Sequence, residues 1–77
     1  MSDPTFAPLA GALRERLDVI GDRAFYQRDP AGHLEALKEV SERIEALQKH
    51  LPTPVDPQLK HYLERRSYDK ALALLEQ

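Results

Sequence analysis

Apolar residues recur every three or four positions through most of the chain, which is the spacing of amphipathic helices. In the first third of the chain they are Phe6, Leu9, Leu13, Leu17, Ile20 and Ala24. In the middle third they are Leu34, Leu37, Val40, Ile44, Leu47 and Leu51. No stretch shows the strict alternation of a half-buried strand, so the pattern predicts an all-α fold.

Three dipeptides mark where helices begin: Asp3-Pro4, Asp29-Pro30 and Asp56-Pro57. The Asp carboxylate accepts hydrogen bonds from the free amides of a first turn, and Pro suits the first helical position, where no donor is needed. A serine at position 67 is expected to cap one more helix. Together these signals predict a single domain over 1–77 with helices at roughly 4–27, 30–50, 57–66 and 68–76.

The length of the first helix depends on Gly21, which lies inside the predicted span. Glycine costs a helix about 1 kcal/mol relative to alanine. It can mark a kink, a close packing contact or the end of the helix. We expect the helix to continue to about Gln27, because Ala24 and Phe25 keep to the apolar stripe.

The connections predict how the helices are arranged. Only a few residues around Asp29 join the first two helices, so these are expected to form an antiparallel hairpin. The connector 51–56 contains two prolines, which end the second helix and turn the chain back. The predicted architecture is a long antiparallel helical hairpin with a short C-terminal helix-turn-helix packed against it, a three- to four-helix bundle.

The C-terminal pair carries a partial motif in Tyr62, Tyr68, Ala71 and Leu75. In residue type and spacing these positions resemble the second half of a tetratricopeptide repeat, over about 20 residues of the chain. The Trp, Leu and Gly of the first half of that repeat have no counterpart upstream. The resemblance implies a tight pair of helices, and a lone unit cannot build the array by which that family binds peptides.

Composition and charge argue against several classes of function. The 77 residues include no cysteine, so neither a disulfide nor a thiolate metal site supports the small core. Charged residues make up 31% of the chain with a formal net charge of −2, a balance that disfavours general binding to nucleic acid or membrane. The first residues do not form a leader and no apolar run spans a bilayer, so we expect a cytoplasmic protein.

No arrangement of residues predicts an enzyme, a cofactor or a metal site. His33 and His50 stand at opposite ends of one predicted helix, about 25 Å apart at 1.5 Å per residue, and both are expected at the surface. His61 and Glu64 share a helical face, but a metal site needs a second such pair, and the sequence has none.

The leading functional hypothesis is a protein-protein interaction or scaffolding module that binds another protein or itself, as a homodimer. The two long helices carry more apolar surface than the short C-terminal pair can cover, so an exposed apolar strip is expected. Phe25 and Tyr26, near the tip of the hairpin, are expected at its edge.

The alternative hypothesis is a small nucleic-acid-associated regulator that uses a basic turn near the C-terminus. Arg65 and Arg66 stand there between Tyr62 and Tyr68. Exposed Arg with Tyr is typical of binding hot spots, and the same residue types contact phosphates and stack on bases. The spacing is compatible with tyrosines that face either the core or the solvent, and the balanced net charge weighs against this hypothesis.

Overall fold

The computed structural model describes residues 6–51 and 55–77 of the chain. Five helices follow one another in this part: α1 (Ala7–Gly21), α2 (Arg23–Arg28), α3 (Pro30–Lys49), α4 (Pro57–Glu64) and α5 (Tyr68–Leu75). The described residues contain no strand, and the predicted all-α fold is confirmed. The predicted cap at Asp3-Pro4 and the two prolines of the connector lie outside the described residues.

The helices α1 and α3 form the predicted antiparallel hairpin. Glu15 on α1 makes a salt bridge with Arg43 on α3. One turn further along α1, the carbonyl oxygen of Val19 is bonded by His33, which lies near the start of α3. The later residue of α1 thus contacts the earlier residue of α3, so the two helices are antiparallel.

The continuous helix predicted for 4–27 is instead divided at Asp22. This residue has φ −84° and ψ 83°, which lie outside the helical region, and its Oδ1 accepts a hydrogen bond from the Phe25 amide at 3.1 Å. The carboxylate thereby caps α2. An Asp side chain that bonds a nearby backbone amide competes with continuation of the helix. The preceding Gly21 stabilises a continuous helix only weakly, because its helix propensity is low.

Two of the predicted caps are formed and one is not. Oδ1 of Asp29 accepts from the Gly32 amide at 3.0 Å, and Oδ1 of Asp56 accepts from the Gln58 amide at 2.8 Å. Ser67 occupies the N-cap position of α5, which begins at Tyr68 as predicted, but its side chain makes no capping hydrogen bond. Packing of α5 against its neighbours supports the helix without that cap.

The core lies where the C-terminal pair packs across one end of the hairpin. It draws buried residues from α1, α3, α4 and α5: Leu9, Ala12, Leu13, Ile44, Leu59, Leu63, Tyr68, Ala71 and Leu72. Helix α5 packs on both α1 and α4, while α2 packs on α3. The predicted bundle, a hairpin with a short pair against it, is therefore confirmed.

We expect Gly32→Ala to bring no gain in stability, unlike the same change at Gly11. A Cβ on Gly32 would collide with the carboxylate of Asp29, so the helix propensity gained, about 1 kcal/mol, is offset by the loss of a cap of similar value. Gly11 is exposed in α1, and no described residue comes within 4 Å of an added Cβ. Gly11→Ala should therefore stabilise by up to about 1 kcal/mol.

Urea unfolding of the two variants measures the difference. The matched control adds each glycine change to Asp29→Ala, where the cap is already absent and Gly32→Ala should regain its full benefit. Equal gains for Gly32→Ala and Gly11→Ala in the otherwise unaltered chain would contradict the role assigned to Gly32.

Candidate functional site

The apolar stripe of the hairpin is buried at one end and exposed at the other. Along α1 the exposed fraction rises from 1% at Leu13 to 40% at Leu17 and 46% at Ile20. Along α3 it rises from 0% at Ile44 to 67% at Leu34, the most exposed large apolar residue of the described chain. Exposure on both helices therefore increases in the same direction, toward the tip of the hairpin.

Helical spacing places the exposed residues on the side of the hairpin that carries the C-terminal pair. Ile20 follows Leu13 by seven residues and Leu37 precedes Ile44 by seven, and such pairs lie within about 20° of each other around a helix. Leu13 and Ile44 belong to the core that α4 and α5 complete. We call the uncovered continuation of this side the distal face, made up of the exposed Leu17, Ile20 and Leu34 and the half-buried Leu37.

The distal face exists because the covering helices are short. Helices α4 and α5 have eight residues each, about 12 Å, whereas the 20 residues of α3 extend for about 30 Å. The C-terminal pair therefore covers only part of the hairpin, as the sequence predicted. Exposed apolar patches larger than a few hundred Å² are uncommon on soluble monomers.

Three aromatic rings hold the tip of the hairpin together. The rings of Phe25 and Tyr26 both meet the His33 ring edge to face, with centroids 5.4 Å apart in each case. His33 Nε2 also donates to the carbonyl oxygen of Val19 at 2.7 Å. His33 is therefore half-buried and structural, and the prediction of a surface residue is wrong for this histidine.

The two predicted aromatic residues of the tip differ in exposure. Phe25 is half-buried, and the Arg28 guanidinium lies 5.8 Å from its ring centroid. Tyr26 is 56% exposed and is available to a partner. The structure thus places Tyr26 at the surface beyond the distal face, while Phe25 serves mainly to anchor α2.

The remaining predicted site residues lie at the other end of the molecule. Tyr68 is only 5% exposed, with the Arg16 guanidinium 4.9 Å from its ring centroid. Tyr62 is half-buried, and its hydroxyl accepts a hydrogen bond from Gln58 Nε2 at 2.9 Å. The tyrosines therefore pack largely inward, and this group lies apart from the aromatic residues at the tip.

The turn between α4 and α5 is a tight helix ending that exposes two arginines. The amide of Arg66 bonds the carbonyl of Leu63, and the amide of Ser67 bonds the carbonyl of Tyr62, which is the pattern of a Schellman motif. Arg66 occupies the left-handed position with φ 57°, where glycine is usual. Its guanidinium pairs with Glu45 at 3.0 Å, while Arg65 is exposed.

Two further observations limit the chemistry of the described residues. Across 6–51 and 55–77, no three His, Cys, Asp or Glu side chains converge as ligands of a metal ion. No helix in these two ranges has the length and apolar character required to cross a membrane.

Comparison with known proteins assigns no relative, since no family model, curated protein or solved structure matches the chain. The class of this protein is therefore defined by its fold and surface. It is a small all-α bundle whose hairpin extends beyond the helices that cover it.

Sequence reasoning predicted an exposed strip but not the residues that form it. Leu17, Ile20 and Leu34 belong to the same apolar stripes as their buried neighbours, so the spacing does not distinguish them. The lengths of the predicted helices would have distinguished exposed from buried residues. Positions two turns beyond the reach of an eight-residue helix have no helix to pack against.

Leucine-to-alanine substitutions at the covered and uncovered ends should differ sharply in cost. Leu13→Ala removes a side chain that is 1% exposed and should destabilise by about 3 kcal/mol through the cavity it leaves. Leu34→Ala, at 67% exposure, should change stability by no more than about 0.5 kcal/mol. Urea unfolding at low protein concentration measures both, and comparable losses would show that the distal face is covered within the monomer.

Replacing Arg66 with glycine should stabilise the protein slightly. A left-handed conformation costs a residue with a Cβ about 1–2 kcal/mol, whereas the exposed Arg66–Glu45 pair is worth about 0–1 kcal/mol. The control is Arg65→Gly, because Arg65 has φ −84° and gains nothing from glycine. Thermal unfolding should rank Arg66→Gly above Arg65→Gly, and the reverse order would contradict this account of the turn.

Proposed function

We propose that this protein is a protein-protein interaction or scaffolding module, without catalytic activity, that binds a helical partner through the distal face. The observation that supports this most strongly is the gradient of exposure along single helical stripes. On α1, Leu13 is 1% exposed while Ile20, seven residues later on the same side of the helix, is 46% exposed.

A helix is the partner that suits this surface, because helices already fill the other half of it. The side chains of two neighbouring helices form a groove, and a third helix packs into such a groove at an interaxial distance of about 8–10 Å. At the covered end α5 packs on α1, and its buried residues share one core with Ile44 of α3. An amphipathic partner helix with apolar residues at three- and four-residue spacing would extend the same packing.

The hairpin is held in place before any partner binds. The His33 hydrogen bond to Val19 joins α1 to α3 on the half that carries the distal face, and the Glu15–Arg43 salt bridge joins them beside the covered core. A surface that is ordered in advance loses less conformational entropy on association, which favours binding. A role as a docking platform is therefore better supported than one that needs folding on binding.

The alternative role in nucleic-acid association remains a prediction, and the structure adds no observation in its favour. Arg66 is engaged by Glu45, and the ring of Tyr68 is buried, so it cannot stack on a base without repacking. Arg65 and Lys70 are exposed, but exposed cations on a chain with net charge −2 are ordinary.

Photo-crosslinking tests the proposed function in the cells that make the protein. Benzoylphenylalanine at position 34 places the probe on the distal face, and we expect it to give defined protein adducts. The control position is 46, because Ala46 is exposed on α3 and lies about 200° around the helix from Ile44. Adducts should be several-fold more abundant from position 34 than from position 46.

Equal yields at the two positions, or no adduct at position 34, would overturn the proposed function. The mass of an adduct also identifies its partner, either a second copy of this chain or a different protein. That distinction separates the proposed function from the narrower inference drawn below.

A further inference from the structure

This inference rests on the proposed function and names the partner. We propose that the distal face binds a second copy of this chain in a two-fold symmetric dimer. In this dimer the tip of each hairpin, helix α2, lies against helix α5 of the other copy.

The shape of the molecule supports a second copy as the occupant. The hairpin of α1 and α3 is one layer of helices, while α5 packs on α1 and α4 packs on α5 at the end where Leu13 and Ile44 are buried. The uncovered end is therefore thinner than the covered end by about one helix layer, roughly 10 Å. We call the recess above the distal face the step. The uncovered end of another hairpin is itself one layer thick, so a two-fold axis lets each copy fill the step of the other.

The area available is consistent with a weak dimer. Half of the 42 Å length and the full 22 Å width of the molecule enclose on the order of 450 Å². A standard stable interface buries about 800 Å² on each partner, so the distal face supplies roughly half of this. Contact between each tip and the opposite α5 adds area at both ends, and we expect a dissociation constant in the micromolar to millimolar range.

The tip of the hairpin presents two arginines. Arg23 and Arg28 are exposed on α2, and neither forms an ion pair with any residue of the described chain. The acidic residues of the tip, Asp22 and Asp29, each direct a carboxylate oxygen to a backbone amide of a helix start. The outward charge of α2 is therefore carried by its arginines.

Helix α5 presents an acidic edge to the step. Glu76 pairs with Arg14, which lies on α1 one turn before Leu17, so its carboxylate stands beside the distal face. Asp69 precedes Glu76 by seven residues and therefore lies on the same side of α5. Lys70 lines a groove with Tyr62 on the side toward α4.

The basic tip and the acidic edge complement each other across the proposed two-fold axis. Asp69 has no ion-pair partner in the ranges 6–51 and 55–77, and it is exposed. When a hairpin fills the step of a second copy, its Arg23 and Arg28 approach this edge. The symmetry forms the contact twice, once at each end of the dimer.

Sedimentation equilibrium of the full chain over a range of concentrations tests the dimer. We expect a reversible monomer-dimer equilibrium in the native chain and a dissociation constant raised at least about tenfold by Leu34→Glu. Ala46→Glu makes the same change of charge at an exposed position about 120° around α3 from Leu34, at the covered end, and should leave the equilibrium unchanged. Far-UV circular dichroism establishes that both variants retain their helices.

Charge exchange tests the position of the tip. Arg23→Glu and Asp69→Arg should each weaken self-association several-fold, because each places like charges at both contacts. An equimolar mixture of the two variants should recover it, since each hybrid dimer then holds two matched pairs. Combining both substitutions in one chain should recover the homodimer for the same reason.

A chain that stays monomeric at millimolar concentration overturns this inference, as does a dimer that Leu34→Glu leaves intact. Failure of the mixed variants to recover association overturns the assigned contact between tip and α5. If the chain is monomeric while position 34 crosslinks to a different protein, the inference fails and the proposed function stands.

Discussion

Contact between the hairpin and the short C-terminal pair is the interaction on which the rest of this structure depends. A 77-residue chain without cysteine has no covalent support, so it must bury apolar surface between helices. Leu13 and Ile44, at 1% and 0% exposure, mark the centre of this contact on the two arms of the hairpin. The same contact fixes where coverage ends, because α4 and α5 are too short to reach the tip.

The border of the covered region is marked by Arg16. Its guanidinium lies over the ring of the buried Tyr68, a cation-π contact that attaches α1 to the start of α5. Its Nε is buried and has no hydrogen-bond partner among the described residues. A buried donor of this kind carries a cost of about 1–3 kcal/mol. The border between the covered and uncovered halves therefore contains a buried donor without a hydrogen bond among the described residues.

The tip of the hairpin is built by capping rather than by burial. Asp22 and Asp29 end one helix and begin the next within eight residues, so the chain reverses direction through the short helix α2. No residue of α2 is fully buried, and the rings around His33 supply most of its packing. This arrangement leaves Tyr26 and the arginines of α2 at the surface, where the proposed dimer uses the latter.

Apolar spacing and Asp-Pro caps act over a few residues, so the sequence alone was enough to predict the fold class, the hairpin and the starts of α3 and α4. Asp29 caps α3 as predicted, since its partner is only three residues away. The tertiary structure alone decided that Ile20 is exposed and Leu13 buried, because the two lie on the same side of α1 and differ in what packs above them. It also decided that Tyr68 faces the core and that His33 bonds Val19, since each depends on residues from a distant part of the chain.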